Sequence, residues 1–545
     1  MKQTLYSLLS KAFLGFCLMA IAEVQASVVI NATNFPDAIF RNYVVTNFDS
    51  DQDGWLSDEE IQQARTIDVR TMQIKSLKGI EYFTEMNWLS CRQNELTELD
   101  LSKNTKLMML FCWENQLTRL NISGCTQMTN IDCAYNQLTE LDVSKCTQLK
   151  DLSCWENQLE VLDVSNCTQL TRLDCEANQL NNLDVSRCAK LDTLWCYHNQ
   201  LTELDVTNCP QLTELSLGWN NLKKLDVSKC TKLVTLYCHT NQLEALDVSN
   251  CTQLTYLECE TNQLMKLDVS GCAKLDTLWC HQNQLTELNV SKCPQLTELS
   301  LGWNNLKQLD VSKCSKLIRL YCHTNQLEAL DVSNCTQLTY LECNKNNLTK
   351  LDVSGCVKLD TLWCETNQLT DLDMTKFTRM KILSCANNKL TKLDLSKCPE
   401  IQECTCQRNQ IKELKFAKNA AITGLYCHMN ELKGQAMDDL IASLPTQNSA
   451  FITVVSTDDG ENEHNVCTKE QVAAANAKGW TAYQLLNNDW AVYEGSDPTA
   501  IDAVPAADNM QTSEPSAPAY DLRGRRINGQ QRGFIIQGGK KILVR

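Results

Sequence analysis

From Leu89 to Leu432 the apolar residues keep one spacing. A representative stretch, Leu149 to Gln169, reads LKDLSCWENQLEVLDVSNCTQ. Its apolar ladder is Leu149, Leu152, Cys154, Leu159, Leu162, Val164 and Cys167, after which the spacing begins again. An asparagine stands at position 94 and at every twenty-first position up to 430, seventeen in all. Before each asparagine the chain alternates apolar and polar, the period of a strand with one buried face. The pattern predicts one short strand per unit. No unit can bury its own leucines, so each must stack on its neighbours. At about 4.8 Å per strand the result is a parallel sheet on the order of 80 Å long. The asparagine side chain is expected to satisfy the backbone where the chain leaves the strand. Units this short leave little room for an outer helix, so extended or 3₁₀ segments are expected around LDVS.

The unit, LxxLxCxxNQLxxLDVSxCTQ, matches the leucine-rich pattern L-x-x-L-x-L-x-x-N-x-L with cysteine at the last core position of the strand. The expected fold is an α/β-type leucine-rich repeat solenoid of about 17 coils with a parallel concave sheet. Residues 188–271 and 272–355 differ at 13 of 84 positions, the mark of a duplicated four-coil block. The repeat array is assigned to 81–433, a helical N-cap to 27–80 and an α/β C-cap to 434–495. In that C-cap, Ala436–Leu444 suits a helix stopped by Pro445, Phe451–Val455 a strand, and Lys469–Lys478 a helix stopped by Gly479. Residues 496–519 read as a Pro/Ser/Ala linker and 520–545 as a basic, hairpin-like tail.

Composition narrows the function. The net charge is −16, and seven of the 50 basic residues fall in the last 25 positions, so the body is more acidic still. Nucleic acid and anionic membrane are therefore poor partners. Residues 1–26 carry Lys2 and Lys11, an apolar run from Phe13 to Ala22 and the small-residue ending Val24-Gln25-Ala26. That is the pattern of a secretory signal cut after Ala26, and the run is too short to span a bilayer. A secreted or extracellular location is expected, with no transmembrane segment in the mature chain.

The 31 cysteines look at first like a disulfide framework. They fall into two columns, three residues before and ten residues after the asparagine. Leu217 and Leu301 replace the first column in two coils, yet Cys209 and Cys230 persist on either side of Leu217. Obligate pairs would be lost together, so mostly reduced, buried thiols are expected. Cys404 and Cys467 stand outside the columns. In LWCYHN (194–199) and LWCHQN (278–283), cysteine points inward while Trp195, Tyr197, Trp279 and His281 point outward. A Cys/His metal site or dyad is thereby excluded.

The outward columns are rich in rings. Trp195, Tyr237, Trp279, Tyr321 and Trp363 stand four before asparagine. Trp113, Trp155, Tyr197, His239, His281 and His323 stand two before it. Trp219 and Trp303 stand at the strand exit. These thirteen form the candidate ligand-binding face, for a protein or a carbohydrate, because aromatics turned to water bind something or cover one another. His428 and Tyr426 continue the columns. Asp174 with Glu176, and Glu258 with Glu260, share this face about 7 Å apart, in the window of an inverting glycosidase. The array offers no evident closed pocket, so solvated acids and a non-enzymatic chain are expected. The LDVS aspartates, such as Asp142, are expected to bond the backbone rather than hold calcium.

Residues 49–60, DSDQDGWLSDEE, fit D-x-[DN]-x-[DN]-G-x₅-E in full. Asp49, Asp51, Asp53, the Trp55 carbonyl, Ser57 and Glu60 would ligate Ca²⁺, and Gly54 permits the sharp turn. One such loop ahead of a repeat array fits a structural cap.

The 21-residue, cysteine-bearing unit resembles the leucine-rich repeats of the internalin J type. The order helix, calcium loop, repeats is similar to surface leucine-rich proteins of Bacteroidota. Tyr520-Asp521-Leu522-x-Gly524-Arg525 and the closing GKKILVR resemble the end of a type IX secretion sorting domain, in shortened form. No LPxTG-like motif occurs, a departure from internalins. The resemblance implies a secreted or surface-displayed protein of adhesion or community (biofilm) formation. A matrix scaffold without a specific ligand, and more remotely a glycan-active enzyme, are the alternatives.

Overall fold

The structure is a computed structural model that describes residues 27–458, 462–487 and 489–497, and the backbone of three strands between 519 and 544. The chain forms two units, one ending at Gly495 and one beginning at Ser496. The signal-like residues 1–26 and nearly all of the linker lie outside the described residues.

The first unit is the expected solenoid. Every coil contributes a strand of three or so residues, and the parallel register steps by 21. Leu152 pairs with Leu173, Leu173 with Leu194, and Leu194 with Leu215. The sheet runs from Thr66–Asp68 through the coils to Gly424–Tyr426, then Ala450–Ser456 and Trp480–Leu486. The antiparallel strand Asp489–Val492 covers its far edge. Leucines and cysteines of each strand are fully buried on the inner side, as Leu194 and Cys196 are, while Trp195 between them is half-exposed.

The outer side of the coil is extended. Short strand pairs such as Ala245–Asp247 with Lys266–Asp268 form there, as do bridges between Asp310, Asp331 and Asp352. Among the described residues the single 3₁₀ segment is Ile80–Tyr82, so the extended alternative prevails around LDVS. The LDVS aspartates close Asx turns: Asp142 Oδ1 accepts the Ser144 amide at 2.9 Å.

Each asparagine joins two coils. Asn157 Nδ2 donates to the Cys154 carbonyl of its own coil (3.1 Å) and to the Cys133 carbonyl of the coil before (3.1 Å). Its Oδ1 accepts the Leu138 amide at 3.0 Å. The residue before the asparagine is left-handed in all seventeen coils, with φ from 49° at Ala177 to 58° at Glu114 and Arg408. None of these positions is a glycine, so no residue type marks the turn in advance.

The thirty described cysteines are all buried, Cys404 and Cys467 included, and those of the two columns form no disulfide. The two columns differ. Strand cysteines fill volume, which is why Leu217 and Leu301 stand in for them. Thiols of the second column also donate backward, Cys272 Sγ to the Val248 carbonyl at 3.3 Å. Where Asn104 stands in place of a second-column cysteine, its side-chain amide does the same, reaching Ile80 O at 2.8 Å. Burial pushes thiols such as Cys167 up to about 12, so they stay protonated and inert.

Both ends of the array are covered. Helix Ala38–Asn47, capped by Asp37, and helix Asp58–Gln63, with a Ser57/Glu60 capping box, bury Phe35, Phe40, Val44 and Leu56 against the first coils. At the other end helices Gln435–Ser443 and Lys469–Ala477 enclose Trp480, whose Nε1 donates to the Pro445 carbonyl at 2.8 Å. The second unit contains the antiparallel strands Ala519–Asp521, Gly533–Gln537 and Lys540–Val544, one more than a hairpin.

Candidate functional site

Strand parity sets eleven of the thirteen candidate rings on one sheet face, and Trp219 and Trp303 join them from the left-handed strand exit. Trp219 is 51% exposed. The other twelve are half-buried, because stacked strands bring each ring against the next coil. Tyr197 lies 5.7 Å from the His239 ring and Trp303 6.4 Å from that of His323. Arg172 lies over Trp195 at 4.6 Å, Arg92 over Trp113 at 5.1 Å, and Lys345 over Trp303 at 5.9 Å. Trp155 meets Tyr135 at 4.2 Å, and Trp279 Nε1 donates to Glu298 Oε1 at 3.0 Å.

Tyr256 and Tyr340 join this face without having been anticipated. Each opens its strand two residues before a glutamate of the same parity, and that parity was the available signal. They stack on Tyr237 (5.2 Å) and Tyr321 (5.0 Å) and donate to Glu258 and Glu342. His428 and Tyr426 leave the face, since Trp490 of the C-terminal cap covers both, at 5.7 and 5.9 Å.

The acids of this face are not solvated, contrary to the expectation from sequence. Asp174 is 4% exposed, and burial, then the Glu176 charge, raise it to about 7. Arg172 opposes that rise from 3.2 Å but divides its charge with Asp151 at 3.3 Å, so the upward direction prevails. Burial and neighbouring Glu365 raise Glu342 to about 7. The flanking rings that half-bury themselves also exclude water from the short acids between them. The histidines respond in the opposite sense. Burial lowers His281 and His323 to about 4 and lowers His239, so all three are neutral at neutral pH.

Buried polar atoms without a hydrogen-bond partner gather on this face. They include Trp195 Nε1, Trp363 Nε1, His323 Nδ1, Thr324 Oγ1, Asn344 Oδ1, Glu365 Oε2 and Gln407 Oε1. Such groups are costly unless satisfied. Donors and acceptors are mixed, which suits a polar ligand bearing both.

At the N-terminal end, carboxylate oxygens of Asp49, Asp51 and Asp53 converge within 4.8 Å of one another. Gly54 takes φ 82° to turn the loop. Glu60 is buried in the loop and accepts from the amides of Ser50 (2.6 Å) and Ser57 (2.9 Å). Burial raises its pKa, but these bonds outweigh it and hold the carboxyl below its ordinary value. Trp55 is exposed, and its backbone lies in the short strand that pairs with Val28–Val29. An ionised Glu60 beside three converging aspartates fits a hard divalent cation.

A family model described as At1g61320/AtMIF1, LRR domain, matches residues 295–426. Over 71 residues the chain is 38% identical to Internalin J of Listeria monocytogenes serotype 4b (strain F2365), a stretch covering 13% of this chain and 8% of that protein. YopM from Yersinia enterocolitica WA-314 shares the fold, with a TM-score of 0.52 at 22% identity over 72% of this chain and 91% of that one. The functional domain of InlJ from Listeria monocytogenes, which includes a cysteine ladder, gives a TM-score of 0.59 at 35% identity over 68% of this chain and 84% of that one. With that identity and that coverage, the chain, whose own cysteines stack in buried columns, belongs to the internalin J type of leucine-rich repeat proteins.

Proposed function

We propose that the chain is a secreted or cell-surface binding protein that adheres through its sheet face to a protein or glycan on a host or neighbouring cell. The observation that carries this reading is the coincidence, on one face, of half-buried rings with buried donors and acceptors lacking partners. Rings supply rigid contact area, and the orphaned groups supply orientation. The residues of this face are Trp113, Trp155, Trp195, Tyr197, Trp219, Tyr237, His239, Trp279, His281, Trp303, Tyr321, His323 and Trp363. An extracellular site of action is supported by the signal-like residues 1–26, the sorting-like tail 520–545 and kinship with internalins. No helix among the described residues is long and apolar enough to cross a membrane. Calcium held by Asp49, Asp51, Asp53, the Trp55 carbonyl, Ser57 and Glu60 would fasten the N-cap.

The test is a protein and glycan array probed with the full chain, then with the W195A/W279A/W363A variant. Loss of a specific partner at unchanged melting supports the reading. A second reading, a matrix scaffold without a ligand, is favoured by the rings that cover one another, such as Tyr237 and Tyr256. It predicts that the variant loses stability and nothing else. Catalysis is disfavoured: the cleft lined by Asp184, Glu203, Asp205, Lys223 and Asp226 lies on the LDVS side, away from Asp174 and Glu176. An absence of turnover on oligosaccharides is expected.

A further inference from the structure

The duplicated block places one unusual constellation on the sheet face. His239, Glu260 and His281 occupy the same position in three successive coils, and Glu258 shares a strand region with Glu260. Ligating atoms of His239, Glu258 and Glu260 all lie within 4.8 Å of one another. His239 Nδ1 stands 3.4 Å from Glu258 Oε1 yet makes no hydrogen bond with it. Glu260 is 9% exposed, and its Oε2 has no donor in reach, the neighbouring group being the Glu258 carboxyl. Two carboxyls and an imidazole thus face each other in a water-poor place, His239 Nδ1 and Glu260 Oε2 unmatched while Glu258 Oε2 accepts from the Tyr256 hydroxyl at 3.1 Å.

The imidazole reaches this place because the coil before it carries Gly218. A Cβ there would meet the His239 ring at 2.6–2.9 Å, so any larger residue would displace the ring. His281, next in the column, is turned to Ser300 Oγ at 3.2 Å. Cys238 and Cys259 point into the core on the other side of the sheet and are not available as sulfur ligands.

We propose that His239, Glu258 and Glu260 bind a divalent first-row transition-metal ion on the sheet face, with Gly218 positioning the imidazole. One nitrogen and two carboxylate oxygens suit zinc, cobalt or manganese better than calcium, whose sites are built from oxygen alone. An ion there would match lone pairs that the protein leaves unmatched.

The second block supplies an internal control. It repeats the cradle, with His323 Nδ1 3.3 Å from Glu342 Oε1 and a Cβ at Gly302 meeting the His323 ring at 2.5–2.8 Å. But Asn344 replaces the third carboxylate, and Lys345 replaces Thr261 beside it. One anionic ligand is lost and a positive charge is added, so the second block does not hold the ion.

The test is calorimetric titration of the metal-stripped full chain with ZnCl₂ at saturating Ca²⁺, which keeps the N-terminal loop occupied with calcium. The wild type is expected to bind one equivalent that H239A and E260N each weaken about tenfold or more. Asparagine at 260 is the residue of the homologous place, and melting without zinc checks that both variants fold. G218A weakens the same equivalent, and N344E/K345T adds a second. The proposal is overturned if folded H239A and E260N bind zinc as the wild type does. It is equally overturned if the equivalent disappears in D51A instead, or if folded N344E/K345T gains none. The site stands independently of which partner the face binds.

Discussion

Asn283 Oδ1 accepts the amide of Leu264, nineteen residues back, at 2.9 Å. Its Nδ2 donates to the carbonyls of Cys259 (3.0 Å) and Cys280 (3.1 Å). One buried side chain therefore satisfies three buried backbone groups in two coils, besides the part-buried His281 carbonyl at 3.4 Å. Asn283→Ala leaves all three without a partner, at about 1–3 kcal/mol each. A loss of about 3 kcal/mol or more is expected in urea denaturation. A loss under about 1 kcal/mol would show that water replaces the side chain and that the ladder is not a structural seam.

The two cysteine columns should respond differently to leucine. Cys196→Leu copies what Leu217 and Leu301 already do and should cost less than about 1.5 kcal/mol. Cys272→Leu removes the donor to Val248 O and should cost more. Parallel denaturation curves decide this, equal costs contradicting the distinction. In both columns the thiols should resist iodoacetamide at pH 8 until denaturant is added, which mass spectrometry of the alkylated chain reads directly.

The left-handed residue before each asparagine is a source of strain where it is β-branched. Thr366 has φ 57° and is exposed. Thr366→Asn puts a residue that tolerates this conformation in its place and should raise stability by roughly 1 kcal/mol. A drop in the urea midpoint would count against it.

Asp174 gives a pH dependence with a definite sign. Its folded value of about 7 lies above the ordinary aspartate value of 3.8. Between those two the folded chain keeps a proton that the unfolded chain has released. The contribution of Asp174 to stability is therefore fully present below about pH 4, is lost as pH rises toward 7, and is level above it. Glu176 and Asp132 push the same way, while Arg172 pushes back. Asp174→Asn removes the titration, so its stability relative to the wild type should climb between pH 4 and 7. A difference that stays flat would mean that Arg172 keeps the carboxylate ionised throughout.

Calcium should stabilise the N-cap by mass action. At one hundred times its dissociation constant a ligand specific to the folded state adds about 2.7 kcal/mol. The melting of the first coils is expected to rise with Ca²⁺ and fall with chelator, and Asp51→Ala should abolish the shift. An Asp51→Ala protein that still responds to calcium would move the site elsewhere.

How much of this was written in the chain itself follows from the range of the forces. A two-residue alternation inside a 21-residue period is enough to state which side chains are buried, because stacking identical coils leaves one register. Leu194 and Cys196 inward, Trp195 outward, and the coil-to-coil pairing of Leu152 with Leu173 are all consequences of that arithmetic. The degree of burial on the outer face was not, since it depends on the volumes of residues one and two coils away. Asp174 loses water to its neighbours, His428 is roofed by Trp490, and the His239 ring lies in space left by Gly218. The left-handed turn before each asparagine was equally hidden, because its cost at Thr366 is borne by bonds that Asn367 makes to a different coil. Periodicity decides inside from outside; only the folded neighbours decide what the outside touches.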